Sequence, residues 1–235
     1  MCDHILAELR ARANAENVAG MARYGISSAG TLGVSIPEVR ALAKEARRQL
    51  GRDKGARHEL AGLLWSSGVH EARIAASLVD DPKLVDDTQL ERWAADIDSW
   101  DVCDQLCSNL FRKAAPAWPK AAEWPRRAEE FVKRAGFVLG ATLAVHDKTT
   151  DDARFVPLLA LAECAATDER NFVKKAVSWQ IRQIGKRSVA LNAEAIASCE
   201  RILAEYPENA AARWTSRGAL RELRSDEVKK RLGLG

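Results

Sequence analysis

The 235-residue chain is short of several things, and each shortage closes a class of explanation. It has no large excess of charge: 36 lysines and arginines face 33 aspartates and glutamates, a net of +3, so a surface for a polyanion must come from local clustering. Its longest apolar run, Gly136 to Val145, is about half of the ~20 residues a membrane span needs and reads as a buried helix; no membrane partner is expected. The start, MCDHILAELR, has neither the basic nor the apolar region of a signal peptide. Five cysteines (Cys2, Cys103, Cys107, Cys164, Cys199) form an odd set without a CxxC pair, which fits a reducing compartment, and the cytoplasm is the expected location. There is no glycine-rich phosphate loop, and no stretch sustains the period-two alternation of a sheet. Aromatic residues are few, but tryptophan dominates them, with seven against five phenylalanines and two tyrosines.

What is present is helical pattern. With 47% apolar and 29% charged residues the chain can bury a core. Apolar periodicity predicts helices over Ile5 to Arg12, Asn17 to Tyr24, Pro37 to Leu50, Ala56 to Ser66, His70 to Val79, Thr88 to Ala95 and Trp100 to Ala114. Gly25 to Ser35 reads as a loop, and Pro116, Pro119 and Pro125 mark a turn region. The second half adds Arg126 to Val145, Asp151 to Ala166, Asp168 to Gly185, Asn192 to Tyr206 and Asn209 to Leu223. The fold class expected is all-α.

The stretch DERNFVKKAVSWQIRQIGK, Asp168 to Lys186, combines an apolar stripe (Phe172, Val173, Ala176, Val177, Gln180, Ile181, Ile184) with cations at Lys174, Lys175, Arg182 and Lys186. Trp179 lies four residues after Lys175, so indole and ammonium are axial neighbours. Either Trp179 is a core-edge residue beside a solvated face, or the face holds a phosphate backbone with its cations and touches a sugar or base with its indole.

A repeat runs through this half. FVKRAGFVL and FVKKAVSWQ match, and Arg134, Lys175 and Arg217 occupy like positions 41 and 42 residues apart. A period near forty built from helix pairs is the size of HEAT and armadillo units. The expected architecture is therefore a curved solenoid of HEAT-like (armadillo-type) repeats, a single domain over residues 1–235, with Arg134, Lys175 and Arg217 as a cationic track. The alternative is that these cations merely keep the repeats soluble. Arg213, Arg217, Arg221 and Arg224 make a further stripe, read as a solvated face.

Met21-Ala-Arg-Tyr24, Leu32-Gly-Val-Ser-Ile-Pro-Glu-Val-Arg40, Ser99-Trp-Asp-Val-Cys-Asp104, Phe131-Val-Lys-Arg-Ala135 and Asn171-Phe-Val-Lys-Lys-Ala-Val-Ser-Trp179 occur in that order, and together they resemble the AlkD-type DNA alkylation repair glycosylases over nearly the whole chain. The resemblance implies HEAT-like repeats cupping duplex DNA, with hydrolytic removal of cationic alkylated purines such as 3-methyladenine and 7-methylguanine. It places the catalytic carboxylate on Asp104, the sugar-facing tryptophans on Trp100 and Trp179, and a DNA-contacting arginine on Arg134. Ser99 stands where a family member carries a second tryptophan, and Gly25 to Thr31 is slighter than that member's lesion-flanking segment.

The residue types suit that chemistry. A cationic purine leaves as a neutral base, and the sugar acquires oxocarbenium character that a carboxylate and indole faces stabilise. Trp100 and Asp104, four apart, share one helical face. A phosphate about 6 Å from a carboxylate, at an effective dielectric near 20, is repelled by on the order of 3 kcal/mol, so an acid in a basic groove should have a task. Asp96, Asp98 and Asp101 keep ordinary helix capping open as the alternative.

Other constellations carry less. Cys103 and Cys107 lack a close histidine and read as small buried residues rather than zinc ligands. His70 and His146 have no matched partner in sequence and read as structural. Lys133, Lys174 and Lys175 show nothing that would depress a lysine pKa, which favours hydrolysis over a Schiff base. The expectation is a monofunctional, monomeric glycosylase without cofactor or metal, binding duplex DNA through Arg134, Lys174, Lys175, Arg182 and Arg217. The competing class is a HEAT-like module that binds nucleic acid or protein without chemistry.

Overall fold

The computed structural model describes residues 1–234, and among them every regular element is a helix. The helices are α1 (Cys2–Ala11), α2 (Ala15–Ala22), α3 (Ile36–Leu50), α4 (Lys54–Ser66), α5 (His70–Val79), α6 (Asp87–Ala95), α7 (Trp100–Asn109), α8 (Ala117–Glu123), α9 (Glu130–His146), α10 (Val156–Cys164), α11 (Asn171–Gly185), α12 (Val189–Glu205), α13 (Ala210–Leu223) and α14 (Asp226–Leu232). None of them is long and apolar enough to cross a membrane.

Local chemistry starts them. The side chains of Asn14, Asp53, Asp86, Ser188, Asn209 and Ser225 each accept a backbone N–H of the following first turn, which satisfies a donor the helix itself cannot. At α3 the Glu38 carboxylate accepts from both the N–H and the hydroxyl of Ser35, a capping box with Pro37 in the first turn.

Several elements differ from the sequence expectation. α9 begins at Glu130 rather than Arg126, the helix expected from Asp151 to Ala166 divides into a 3-10 turn, Asp152–Phe155, and the shorter α10, and α14 lies beyond the last expected helix. α7 stops at Asn109 rather than Ala114, because Leu110 leaves helical geometry (φ −119°) and Phe111 to Lys113 tighten into a 3-10 turn that buries the Phe111 ring. The proline region is not all turn. Pro119 falls in the first turn of α8, where a missing N–H costs nothing, and Pro125 sits in the 3-10 turn Trp124–Arg126.

The chain divides into two compact units, 1–116 and 117 onward. In the first, α3, α5 and α7 pack in a row, with α4 against α3 and α5; Trp65 of α4 stacks on Trp93 of α6 with ring centroids 4.3 Å apart. In the second, α9, α11 and α13 form one row and α8, α10 and α12 a second, so residues 41 and 42 apart do fall on successive helices of one row. The α9–α11 contact is close because Gly140 has no side chain: a Cβ there would collide with the Gln180 amide, which instead donates to the Leu158 carbonyl at 2.7 Å.

Candidate active site and nucleic-acid interface

In the first unit the loop after α2 is tied to the first turn of α5. Glu71 is 1% exposed and its carboxylate accepts the backbone N–H groups of Leu32, Gly33 and Val34, the shortest at 2.7 Å. Gly33 has φ +76°, and a Cβ there would strike the Asn14 carbonyl, so this position requires glycine. Asn17 donates to the Gly33 carbonyl at 2.8 Å, fixing α2 to the same loop. The result is one wall of a pocket of about 490 Å³, lined by Met21, Tyr24 and Ile36; α7 supplies the other wall through Trp100, Asp101, Asp104 and Gln105.

Trp100 and Asp104 are thus brought to the same cavity, both half-buried, one helical turn apart. The Trp100 indole N–H donates to the Tyr24 carbonyl at 3.1 Å, which pins its polar edge to the far side of the pocket. Ser99 is fully buried as the extended residue before α7. Beneath them His70 Nε2 lies 2.8 Å from an Asp101 oxygen. Burial pulls the imidazole pKa down, but the hydrogen bond and charge of Asp101, with Glu71 and Asp98 behind it, hold it above the ordinary value. Burial likewise pushes the Asp101 carboxyl up, and His70 outweighs it, leaving Asp101 below its ordinary value. Glu16, Glu71, Asp101 and Asp104 all line the cavity, while no lysine or arginine does among the described residues. Such a lining favours positive charge.

The second unit carries the cations and Trp179. Trp179 is half-buried on α11; with the Gln183 amide turned so that its oxygen faces the donors, it accepts from Trp179 Nε1 at 3.0 Å and Lys186 Nζ at 3.1 Å. Lys175 is exposed, and Lys174 places its ammonium 5.6 Å from the Trp214 ring centroid. Arg182 is tied to Glu222 at 2.7 Å, which also holds Lys186. Arg217 is exposed and lines a groove of about 590 Å³ with Arg182, Arg213, Trp214, Gly218 and Arg221. Arg134 stands apart from these: it is 4% exposed and donates to the Phe172 carbonyl at 2.6 Å, where Phe131 and Phe172 also stack. Like positions in the repeat therefore have unlike environments, because α11 covers the Arg134 position on α9 while Lys175 and Arg217 remain open.

Sequence reasoning missed three features. His70 pairs with Asp101 across 31 residues, a distance at which no spacing rule pairs them. Glu71 looks like an ordinary first-turn acid. Trp214 was legible, as a tryptophan inside an arginine stripe, but the stripe suggested only solvation. Cys103 and Cys107 are buried in α7, and among the described residues no cluster of histidine, cysteine, aspartate or glutamate could hold a metal ion.

Comparison with known proteins joins these observations. The model of the DNA alkylation repair enzyme family matches residues 5–223. A solved structure, from a family of proteins related to the HEAT-like repeat DNA glycosylases with affinity for branched DNA structures, superposes with a TM-score of 0.70 over 84% of this chain and 81% of that one, at 17% identity. At that identity the likeness is one of fold. No match is found among the curated proteins.

Proposed function

This chain belongs to the DNA alkylation repair enzyme family, and from that premise we propose that it is a monofunctional glycosylase that hydrolyses the N-glycosidic bond of cationic alkylated purines, 3-methyladenine and 7-methylguanine, in duplex DNA. The observation that carries the reading is the pairing of Trp100 and Asp104, one turn apart on the wall of an acid-lined pocket with no lysine or arginine among the described residues. As the base departs with the bonding electrons it becomes neutral, and the sugar is left positive. Asp104 stabilises that charge and orients the attacking water, and the Trp100 indole favours the cation without competing as a nucleophile. Water adds to the anomeric carbon, passes its proton to the Asp104 carboxylate and from there to solvent, and the sugar keeps the hydroxyl; no cofactor or metal enters the step.

Lys174, Lys175, Arg182 and Arg217 hold the phosphate backbone in this reading, and Trp179 touches the DNA from α11. Arg134, being buried, contributes by holding α11 against α9. The protein acts as a monomer in the cytoplasm.

Incubation with methylated duplex DNA, followed by chromatography of released bases, tests the assignment: free 3-methyladenine or 7-methylguanine is expected. A second reading, a DNA-binding module without chemistry, is favoured by the branched-DNA affinity of the structurally similar protein. Duplex binding without release of any base would establish it in place of the first.

A further inference from the structure

The groove on α13 has features that a duplex-backbone surface does not use. Trp214 is 48% exposed in a protein whose other tryptophans are buried or half-buried. It lies between Arg213 and Arg217, with Arg221 one turn further, and these three arginines have no ion pair among the described residues. Arg224, the next in the stripe, is instead bonded to Glu200. Three like charges at four-residue spacing repel one another along a helix, so their accumulation without carboxylates invites an anion. Four residues after Trp214 comes Gly218, inside a helix where glycine is unfavourable. A Cβ built there would meet nothing within 4 Å. The turn beside the indole is therefore bare, and Lys174 attends the ring from α11 at 5.6 Å.

We propose that Trp214 and the bare turn at Gly218 form a platform for an unpaired nucleotide of single-stranded DNA, whose phosphates are held by Arg213, Arg217 and Arg221. This rests on the DNA-binding assignment above and adds a second kind of DNA to it. A paired base offers its faces only to its stacked neighbours, so an exposed indole is useful to a strand whose bases are free to stack on it. The arginines rise by about 6 Å from one to the next along α13, suited to successive phosphates of an extended strand. An acidic peptide would satisfy the arginines but gives the indole and the glycine no role.

Fluorescence anisotropy with a short oligothymidylate and a blunt duplex of equal length tests this on the full chain. Trp214→Ala should weaken oligothymidylate binding roughly tenfold or more while leaving the blunt duplex within about twofold. Gly218→Leu fills the platform while improving helix propensity, so it should raise the melting temperature and weaken oligothymidylate binding alike; it answers the question even if Trp214→Ala folds poorly. Unchanged oligothymidylate affinity in both variants, an equal loss on the two DNAs, or displacement by polyglutamate as effective as by DNA each overturns the platform. If the parent binds duplex but not oligothymidylate, the platform is wrong and the glycosylase assignment stands. Failure to bind either DNA removes both.

Discussion

His70 Nε2 and an Asp101 carboxylate oxygen are in hydrogen-bond contact, 2.8 Å apart, under the pocket that Trp100 and Asp104 line. Nearly all of the imidazole is withdrawn from solvent, so the pair links the first turn of α5 to the first turn of α7 and sets the spacing of the pocket walls.

Its pH dependence follows from the two shifts. His70 is raised, so its contribution is complete below the ordinary imidazole value of 6.5 and is lost as pH rises through the higher folded value. Asp101 is lowered, so its contribution is complete above the ordinary carboxylate value of 3.8 and is lost as pH falls through the lower folded value. Asp101→Asn should therefore cost most between those two ordinary values, on the order of 3 kcal/mol for breaking a buried pair, and less once pH has risen through the raised folded value of His70. Melting temperatures of both proteins across pH check this; a pH-independent difference would show that the pair is not ionised.

Asp104→Asn keeps the size of the side chain and removes its charge. Single-turnover excision of 7-methylguanine should fall by about a hundredfold or more, corresponding to a few kcal/mol of transition-state stabilisation. Affinity for duplex should hold or increase, since an anion has left a phosphate-binding protein. A variant that excises at the parent rate would strip Asp104 of its role.

Arg134→Ala and Lys175→Ala should part company although the repeat aligns them. Arg134→Ala removes a buried side-chain bond to the Phe172 carbonyl and the packing of its stem, and should cost about 1–3 kcal/mol of stability. Lys175→Ala, at an exposed position, should leave the melting temperature alone and reduce the salt slope of duplex binding by about one unit if it meets a phosphate. Denaturation and binding titrations separate the two effects.

Trp179→Ala should lower excision more than it lowers stability. Truncating a fully buried tryptophan costs about 3 to 5 kcal/mol, and a half-buried ring with one indole hydrogen bond to Gln183 should cost clearly less. A stability loss of the full size, measured by chemical denaturation, would return Trp179 to the core.

The sequence by itself determined the all-helical class, most helix starts, the forty-residue period and the pairing of Trp100 with Asp104. All of these rest on interactions within a few residues or on strict spacing: Ser35 with Glu38, an apolar stripe at 3.6 periodicity, a side chain one turn from another. Of the two helices that the sequence reading lacked, α8 and α14, the first lay within reach, since Pro119 at a first turn starts a helix as readily as it ends one. Only the tertiary structure decided which cations face solvent and which are buried, because that depends on what packs above them. α11 covers Arg134 and leaves Lys175 open, although the two hold the same place in two copies of one motif. It also decided the pairings of His70 with Asp101 and of Glu71 with the amides of residues 32–34, since partners 31 and 37 to 39 residues apart meet only when α5, α7 and the loop after α2 are already packed.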